Sequence, residues 1–297
     1  MIEEIPLVSV CIPTYNGAKF LQNALDSVKN QSYKNIELII SDDASIDETL
    51  SIAKHFKNQV SFLVKIVNHK PIGIGENWNH CIKNAKGDFI KFLFQDDTLE
   101  VDCIQKMVEI ALANNAKTVA CKRNLIIENE NQDAEKIERW VSLFGDLQKD
   151  LDLEYHHQVA VIDKNILGAE ELLIQPLNKI GEPIVMLIHK DIFTEIGYFS
   201  TELKQILDFE YWYRILEKFP IYLIDLPLVN FRIHFAQTTM VNDRDNVDEF
   251  EVYKDFLNKN FRNFLHPKTI LIIDEKPKYW FQQKLENVVF KIKNLLK

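Results

Sequence analysis

Two pairs of adjacent carboxylates, Asp42 with Asp43 and Asp96 with Asp97, are the first residues whose types and spacing could do chemistry. Each pair follows a short apolar run, Ile36 to Ile40 for the first and Phe89 to Phe94 for the second. An Asp in that place commonly makes a turn or caps a helix. For the first pair, Ser45 and Glu48 have the spacing of a capping box and would supply the cap themselves. Both aspartates are then available to a turn or to a ligand. For the second pair, a helix starting near Val101 needs only one side-chain oxygen as its cap. Carboxylates emerging from neighbouring strand ends would repel each other. A hard divalent cation, Mn²⁺ or Mg²⁺, would relieve that repulsion. Asp208 opens the segment Leu207-Asp208-Phe209-Glu210-Tyr211-Trp212 and by itself reads as a helix N-cap. His234 ends the run Phe231-Arg232-Ile233-His234, and a single histidine there is more often structural than a ligand.

These residues need elements to position them. Val8 to Ile12 is apolar and stops at Pro13, which reads as a buried strand. Phe20, Leu21, Ala24, Leu25 and Val28 then recur at helical spacing. The pattern repeats: strands at Ile36–Ile40, Phe62–Val67, Phe89–Phe94 and Thr118–Ala120 alternate with helical faces. Those faces carry Leu50 to Phe56, Trp78 to Ala85 (stopped by Gly87) and Val101 to Leu112. Continuous apolar strands alternating with helices predict an α/β fold with a mainly parallel sheet covered on both faces. Ligands of such sheets bind beyond the carboxyl ends of the strands, where both Asp pairs fall. Asn124 to Ile180 is weakly patterned and reads as a variable, substrate-side region. Order returns at Ile184–Ile188, in a short helix near Asp191–Ile196, in a helix over Phe209–Phe219, and in two strands, Ile221–Ile224 and Leu228–His234.

Four stretches taken together carry a resemblance: Val8 to Asn16 (Val-Ser-Val-Cys-Ile-Pro-Thr-Tyr-Asn), Asn30 to Tyr33, Glu37 to Ser45, and Asp88 to Asp97. They resemble the family 2 glycosyltransferases of the GT-A fold, with Asn68, Gly73, Asn77, Ala85 and Gly87 also in place. The resemblance resumes over Gly181–Arg214 and Arg232–Gln237. It implies an inverting transferase that moves a sugar from a nucleotide-diphosphate sugar, UDP by family habit, to an acceptor hydroxyl on a glycan or glycolipid. Cell-surface polysaccharide, lipopolysaccharide or capsule would be the destination. By position, Pro13, Thr14 and Tyr15 would line the base pocket, Asp43 would bind the base with Asp42 behind it, and Asn77 would belong to the donor site. Asp96 would face the ribose, Asp97 and His234 would attend the metal and diphosphate, and Asp208 would be the catalytic base. The family's metal motif is often written Asp-x-Asp; here Phe94 stands at its first position. The implied domain covers residues 1–235, split near 123 into nucleotide-binding and acceptor-side halves, with a mostly helical extension over 236–297.

Composition narrows the alternatives. The chain has 297 residues, is 46% hydrophobic and carries a net charge of -9, which argues against a nucleic-acid partner. Its start, Met-Ile-Glu-Glu-Ile-Pro, lacks the cationic and apolar regions of a signal peptide. The four cysteines are not in C-x-x-C spacing, and a reduced, cytoplasmic setting follows. A dehydrogenase would need a third glycine where Gly73-Ile74-Gly75-Glu76-Asn77-Trp78 has tryptophan. A nucleotidyltransferase would need a Gly-rich basic loop after the first strand. A non-catalytic nucleotide-sugar-binding scaffold on the same fold is the remaining rival. Lys276 to Lys297 combines six lysines with an apolar stripe at helical spacing. That pattern suits either a helix on the inner face of the cytoplasmic membrane or one packed on the domain.

Overall fold

Apolar runs that are continuous rather than alternating must be covered on both sides, because successive strand residues face opposite ways. The computed structural model, which describes residues 5–128, 134–234 and 237–275, shows that arrangement. Strands β1 (Val8–Thr14), β2 (Ile36–Asp42) and β4 (Phe89–Phe92) are buried at every position. Between and beside them run helix α1 (Ala18–Lys29), helix α2 (Thr49–Lys57), strand β3 (Val64–Asn68) and helix α3 (Ile74–Asn84). The chain continues through β5 (Thr98–Leu99), α4 (Cys103–Ala113), β6 (Thr118–Ile127), α5 (Ala134–Phe144), β7 (Val159–Ile162) and β8 (Met186–His189). It then forms α6 (Asp191–Glu195), α7 (Leu207–Leu216), β9 (Ile221–Ile233), α8 (Thr238–Arg244), α9 (Phe250–Phe261) and α10 (Pro267–Asp274).

One sheet holds all the strands, in the order β3-β2-β1-β4-β8-β6-β9-β5, with β7 added on β9. β1, β2, β3 and β4 are parallel, as are β6 and β9 over their length. β8 runs antiparallel between β4 and β6, and β5 runs antiparallel to β9. The sheet is therefore mostly parallel, and one of its reversed strands, β8, joins the two halves; β7 also runs antiparallel to β9.

Several local expectations change. β1 does not stop at Pro13 but runs to Thr14. At Pro13 only the β2 side is paired, since β4 pairs with β1 only from Val8 to Cys11, so the missing N–H breaks no ladder. Ser45 and Glu48 do not form a capping box; Asp47 accepts from Thr49 N at 3.0 Å, while Ser45 is held by Asp42. The two strands expected near the end are one, β9, which crosses Pro227 with register shifts against β6. Asn124 to Ile180 contains the end of β6, α5, β7 and short 3₁₀ turns, elements too short or too half-exposed to leave a clear period. The described part of the extension, 237–275, is mostly helical. The basic stretch Lys276–Lys297 lies outside the described residues.

Gly87 enters by close approach rather than as a helix stop. α3 ends earlier, at Asn84, and a Cβ on Gly87 would lie 2.6 Å from Ser9 N in β1. Gly87 N donates to Ser9 Oγ at 2.8 Å, and Ser9 Oγ donates to buried Glu37 at 2.6 Å. Backbone cannot move aside as a side chain can. Gly87→Ala should lower the urea midpoint, by about 1–3 kcal/mol in stability. An unchanged midpoint would mean that β1 and the turn before β4 can slide apart freely.

Candidate active site

Strand β2 ends in two aspartates with different fates, because neighbouring side chains point to opposite sides. Asp42 is fully buried and accepts from Thr14 Oγ1 (2.8 Å), Ser45 N (2.9 Å), Ser45 Oγ (2.6 Å) and Asn68 Nδ2 (2.8 Å). It knots the ends of β1, β2 and β3 together and does not line the cleft. Asp43 does. Its carboxylate accepts from Ile72 N (2.7 Å) and Gly73 N (3.2 Å), fixing the turn that starts α3. Gly73 has φ +84°, a backbone state that favours glycine.

The second pair is placed by β9. Arg232 N donates to Asp97 Oδ1 at 2.7 Å, and Arg232 Nε donates to the Asp96 carbonyl at 2.7 Å. The guanidinium also pairs with Glu128 and lies over the Phe20 ring. β5 continues this contact as a short antiparallel pairing with β9. Asp97 is 1% exposed, and its Oδ2 has no hydrogen-bond partner. Burial, then the adjacent Asp96 charge, holds the Asp97 carboxyl well above the usual carboxylate range. His234 stands behind Asp96, with Nε2 2.9 Å from Asp96 Oδ2.

Asp208 sits in the first turn of α7, a helix anchored through its aromatic residues. Trp212 Nε1 donates to Gly181 O (2.8 Å), Tyr211 OH to Gly197 O (2.8 Å) and Tyr213 OH to Leu177 O (3.3 Å). The Asp208 carboxylate accepts from Phe209 N (2.8 Å) and Asn178 Nδ2 (2.9 Å). Withdrawal from water, then the charge of Glu182, pushes its pKa up to about 7. Arg214 serves the fold: it pairs with Glu210 and donates to Ile196 O and Tyr198 O.

These parts meet in one cleft of about 430 Å³ at the carboxyl ends of the strands. Pro13, Thr14, Tyr15, Asp43, Asn77, Asp96, Asp97 and Asp208 all line it. Asp42 and His234 stand behind the lining. The sequence reading missed Gln95, Glu182, Lys204, Gln205, Thr238 and Asn242, which line it too. Gln95 brackets Tyr15, accepting from its N–H at 2.9 Å and donating to its carbonyl at 3.0 Å. Glu182 pairs with Arg123, which also lies over the Trp140 and Phe231 rings. Only the position of Glu182 directly after Gly181, where the family pattern resumes, could have flagged it.

Among the described residues, seven buried side-chain polar atoms have no partner. Four of them, Asn77 Oδ1, Asp97 Oδ2, Glu182 Oε2 and Gln237 Nε2, belong to residues lining the cleft. Buried polar groups are normally paired, so this concentration marks a place where a ligand completes the bonding. The described residues hold no group of three or more His, Cys, Asp or Glu arranged as a complete metal cage. A free oxygen on buried Asp97 beside Asp96 still fits a hard cation that takes its other ligands from water and phosphate.

The raised Asp97 pKa has a sign. Between the unfolded value near 4 and the raised folded value, the folded state binds the extra proton, so stability falls as pH rises through that window. Asp97→Asn should therefore stabilise the ligand-free protein at pH 7.5. Denaturant melts without nucleotide or metal would test this. A destabilised variant would show that the carboxylate supports the fold as it stands.

Comparison with known proteins agrees with the geometry. The family model for glycosyl transferase family 2 matches residues 9–167. A glycosyltransferase of uncharacterised activity from Rickettsia prowazekii is 29% identical over 272 residues, covering 90% of this chain and 75% of the relative. One from Rickettsia typhi is 30% identical over 260 residues, covering 86% and 72%. Among solved structures, S. aureus TarS 1-349 in complex with UDP superposes with a TM-score of 0.58 at 18% identity, over 86% of this chain and 72% of that one. The mannosyltransferase PcManGT from Pyrobaculum calidifontis, in complex with GDP-Man and Mn²⁺, gives 0.58 at 16% identity, over 91% and 68%. At such identities the structural likeness speaks to the fold, a GT-A fold. Its strand ends carry the paired aspartates inside the matched segment, and the chain accordingly belongs to glycosyl transferase family 2 and is a sugar transferase.

Proposed function

We propose that the protein transfers a sugar, with inversion, from a nucleotide-diphosphate sugar to an acceptor hydroxyl, with Asp208 as the general base. The observation that carries this reading is the shared cleft. Asp43, Asp96 and Asp97 line it together with a carboxyl poised near neutral pH at Asp208. Asp208 and His234 lie outside the segment matched by the family model, so their roles rest on the resemblance over Gly181–Arg214 and Arg232–Gln237, supported by their places in and behind the cleft.

The base of the donor would lie against Pro13, Thr14 and exposed Tyr15, with Asp43 and Asn77 at its edge. UDP is the favoured nucleotide. Asp97 Oδ2 and Asp96 would hold a divalent cation, Mn²⁺ or Mg²⁺, with His234 fixing Asp96 from behind. When bound, such a cation supplies positive charge that offsets the charge growing on the diphosphate leaving group. Among the described residues lining the cleft five are carboxylates and Lys204 is the one cation, so without added positive charge the site would repel a diphosphate. Asp208 would take the proton from the acceptor hydroxyl as that oxygen attacks the anomeric carbon from the face opposite the nucleotide.

The acceptor is a glycan or glycolipid, and cell-surface polysaccharide, lipopolysaccharide or capsule is the proposed destination. In this reading residues 1–235 form the catalytic domain, with its nucleotide half ending near 123, and 236–297 form an extension whose Gln237, Thr238 and Asn242 add to the wall of the cleft. The work would take place in the cytoplasm, with the basic stretch Lys276–Lys297 as a peripheral membrane contact. No described helix is long and apolar enough to cross a membrane.

A thermal-shift screen of nucleotides and nucleotide sugars with Mn²⁺, Mg²⁺ or chelator tests the donor site, because ligands that bind only the native state raise its melting point. A shift with one nucleotide family that chelator removes is expected; no shift with any of them would defeat the proposal. Asp208→Asn should keep that shift and lose turnover by about 10²-fold or more. The wild-type rate should rise as pH climbs through about 7, where Asp208 loses its proton. A rate flat across that range would remove Asp208 as the base.

A further inference from the structure

The turn that leads into α7 is held by a residue from far along the chain. Lys204 N donates to Glu249 Oε1 at 2.8 Å, and Gln205 N and Ile206 N donate to Glu249 Oε2 at 2.9 and 3.0 Å. Three successive amides thus converge on one carboxylate, 43 residues beyond Ile206 in sequence. Glu249 directly precedes α9. From α8, Asn242 Nδ2 adds bonds to Lys204 O (3.2 Å) and Gln205 Oε1 (2.8 Å). Lys204, Gln205, Leu207, Asp208 and Asn242 all face the cleft. The segment beyond β9 therefore builds one wall of the site and grips the turn beside Asp208.

We propose, resting on the reading of Asp208 as the base, that Glu249 is a positioning residue for it. Its carboxylate clasps the Lys204–Ile206 turn and so sets where the first turn of α7 presents Asp208 to the acceptor hydroxyl. The bonds are charge-assisted, which makes them short and strong. A carboxylate at a helix N-terminus also meets the positive end of the helix dipole. The body of α7 does not depend on this clasp, because Trp212, Tyr211 and Tyr213 tie it to other loops. Loss of Glu249 would loosen the wall of the cleft and leave the sheet intact. Asp47 and Asp43 show the same chemistry elsewhere, each holding a loop by two backbone amides, but within or near its own βα unit. Glu249 does it from beyond β9, more than forty residues away.

The test compares the full chain with Glu249→Gln, which keeps the shape, and Glu249→Ala. Amide hydrogen exchange over residues 204–208 should speed up about tenfold or more in the Ala variant and by less in Gln, the scale expected for losing bonds to a charged acceptor. Exchange over residues 8–43 should not change. Nucleotide release from UDP-N-acetylglucosamine and GDP-mannose with Mn²⁺ should fall about 10- to 100-fold, the scale of a small misplacement of a reacting group. The thermal shift given by the nucleotide should stay. Unchanged exchange at 204–208 in both variants would overturn the clasp. Faster exchange with wild-type turnover would overturn its positioning role. If the wild-type protein releases no nucleotide from any donor, the proposed reaction fails. Exchange then decides the clasp alone: protection lost upholds it and protection kept overturns it. Should the Ala variant not fold, the Gln variant carries the same comparisons.

Discussion

The bond from Arg232 N to Asp97 Oδ1 is the contact on which the site depends. It joins β9, late in the chain, to the loop that follows β4, early in the chain. It also does something costly, since it keeps a carboxylate out of water beside a second carboxylate. One backbone amide does not fully compensate that burial, and the other oxygen of Asp97 is left without a partner. The fold therefore stores an unmet demand for positive charge at one point of the cleft. Arg232 itself cannot meet it, because its guanidinium is taken by the Asp96 carbonyl and Glu128.

Around that point the chain separates holding from binding. Asp42 and Asp43 are adjacent, yet Asp42 spends all its bonding capacity on the ends of β1, β2 and β3, while Asp43 faces the cleft. Asp96 and Asp97 both line the cleft, one backed by His234 and the other by Arg232. Glu182 is likewise half committed, to Arg123, and half free. A paired residue at each position lets the outer group be placed by the inner one, which is how a rigid site is built on strand ends.

The part of the chain beyond Asn124 follows a different rule. There the elements are short and partly exposed, and order comes from side chains reaching across long sequence separations. Asn178 holds Asp208, Gln148 holds the carbonyls of Lys179 and Ile180, and Glu249 holds the turn before α7. None of these bonds leaves a period in the sequence. This accounts for the contrast between the readable first half and the opaque stretch from Asn124 to Ile180.

The sequence by itself determined the alternating strands and helices of the first half, because a strand buried on both faces must be apolar at every position. It determined the two Asp pairs as chemical candidates, because they fall just after such strands. Strand position alone did not say which Asp of the first pair lines the cleft; the family resemblance put Asp43 there with Asp42 behind it, and side-chain direction at the end of β2 is the physical reason. The capping box expected at Ser45 failed for a related reason: Asp42, at the end of its own strand, competed for the same serine and won with two bonds. Only the tertiary structure decided that β8 runs backward between β4 and β6, and that Ile221–Ile233 is one strand. It alone brought Glu182 and Asn242 to the cleft shared by Asp97 and Asp208. Those contacts join residues far apart in sequence, and contacts of that kind exist only once the chain has closed on itself.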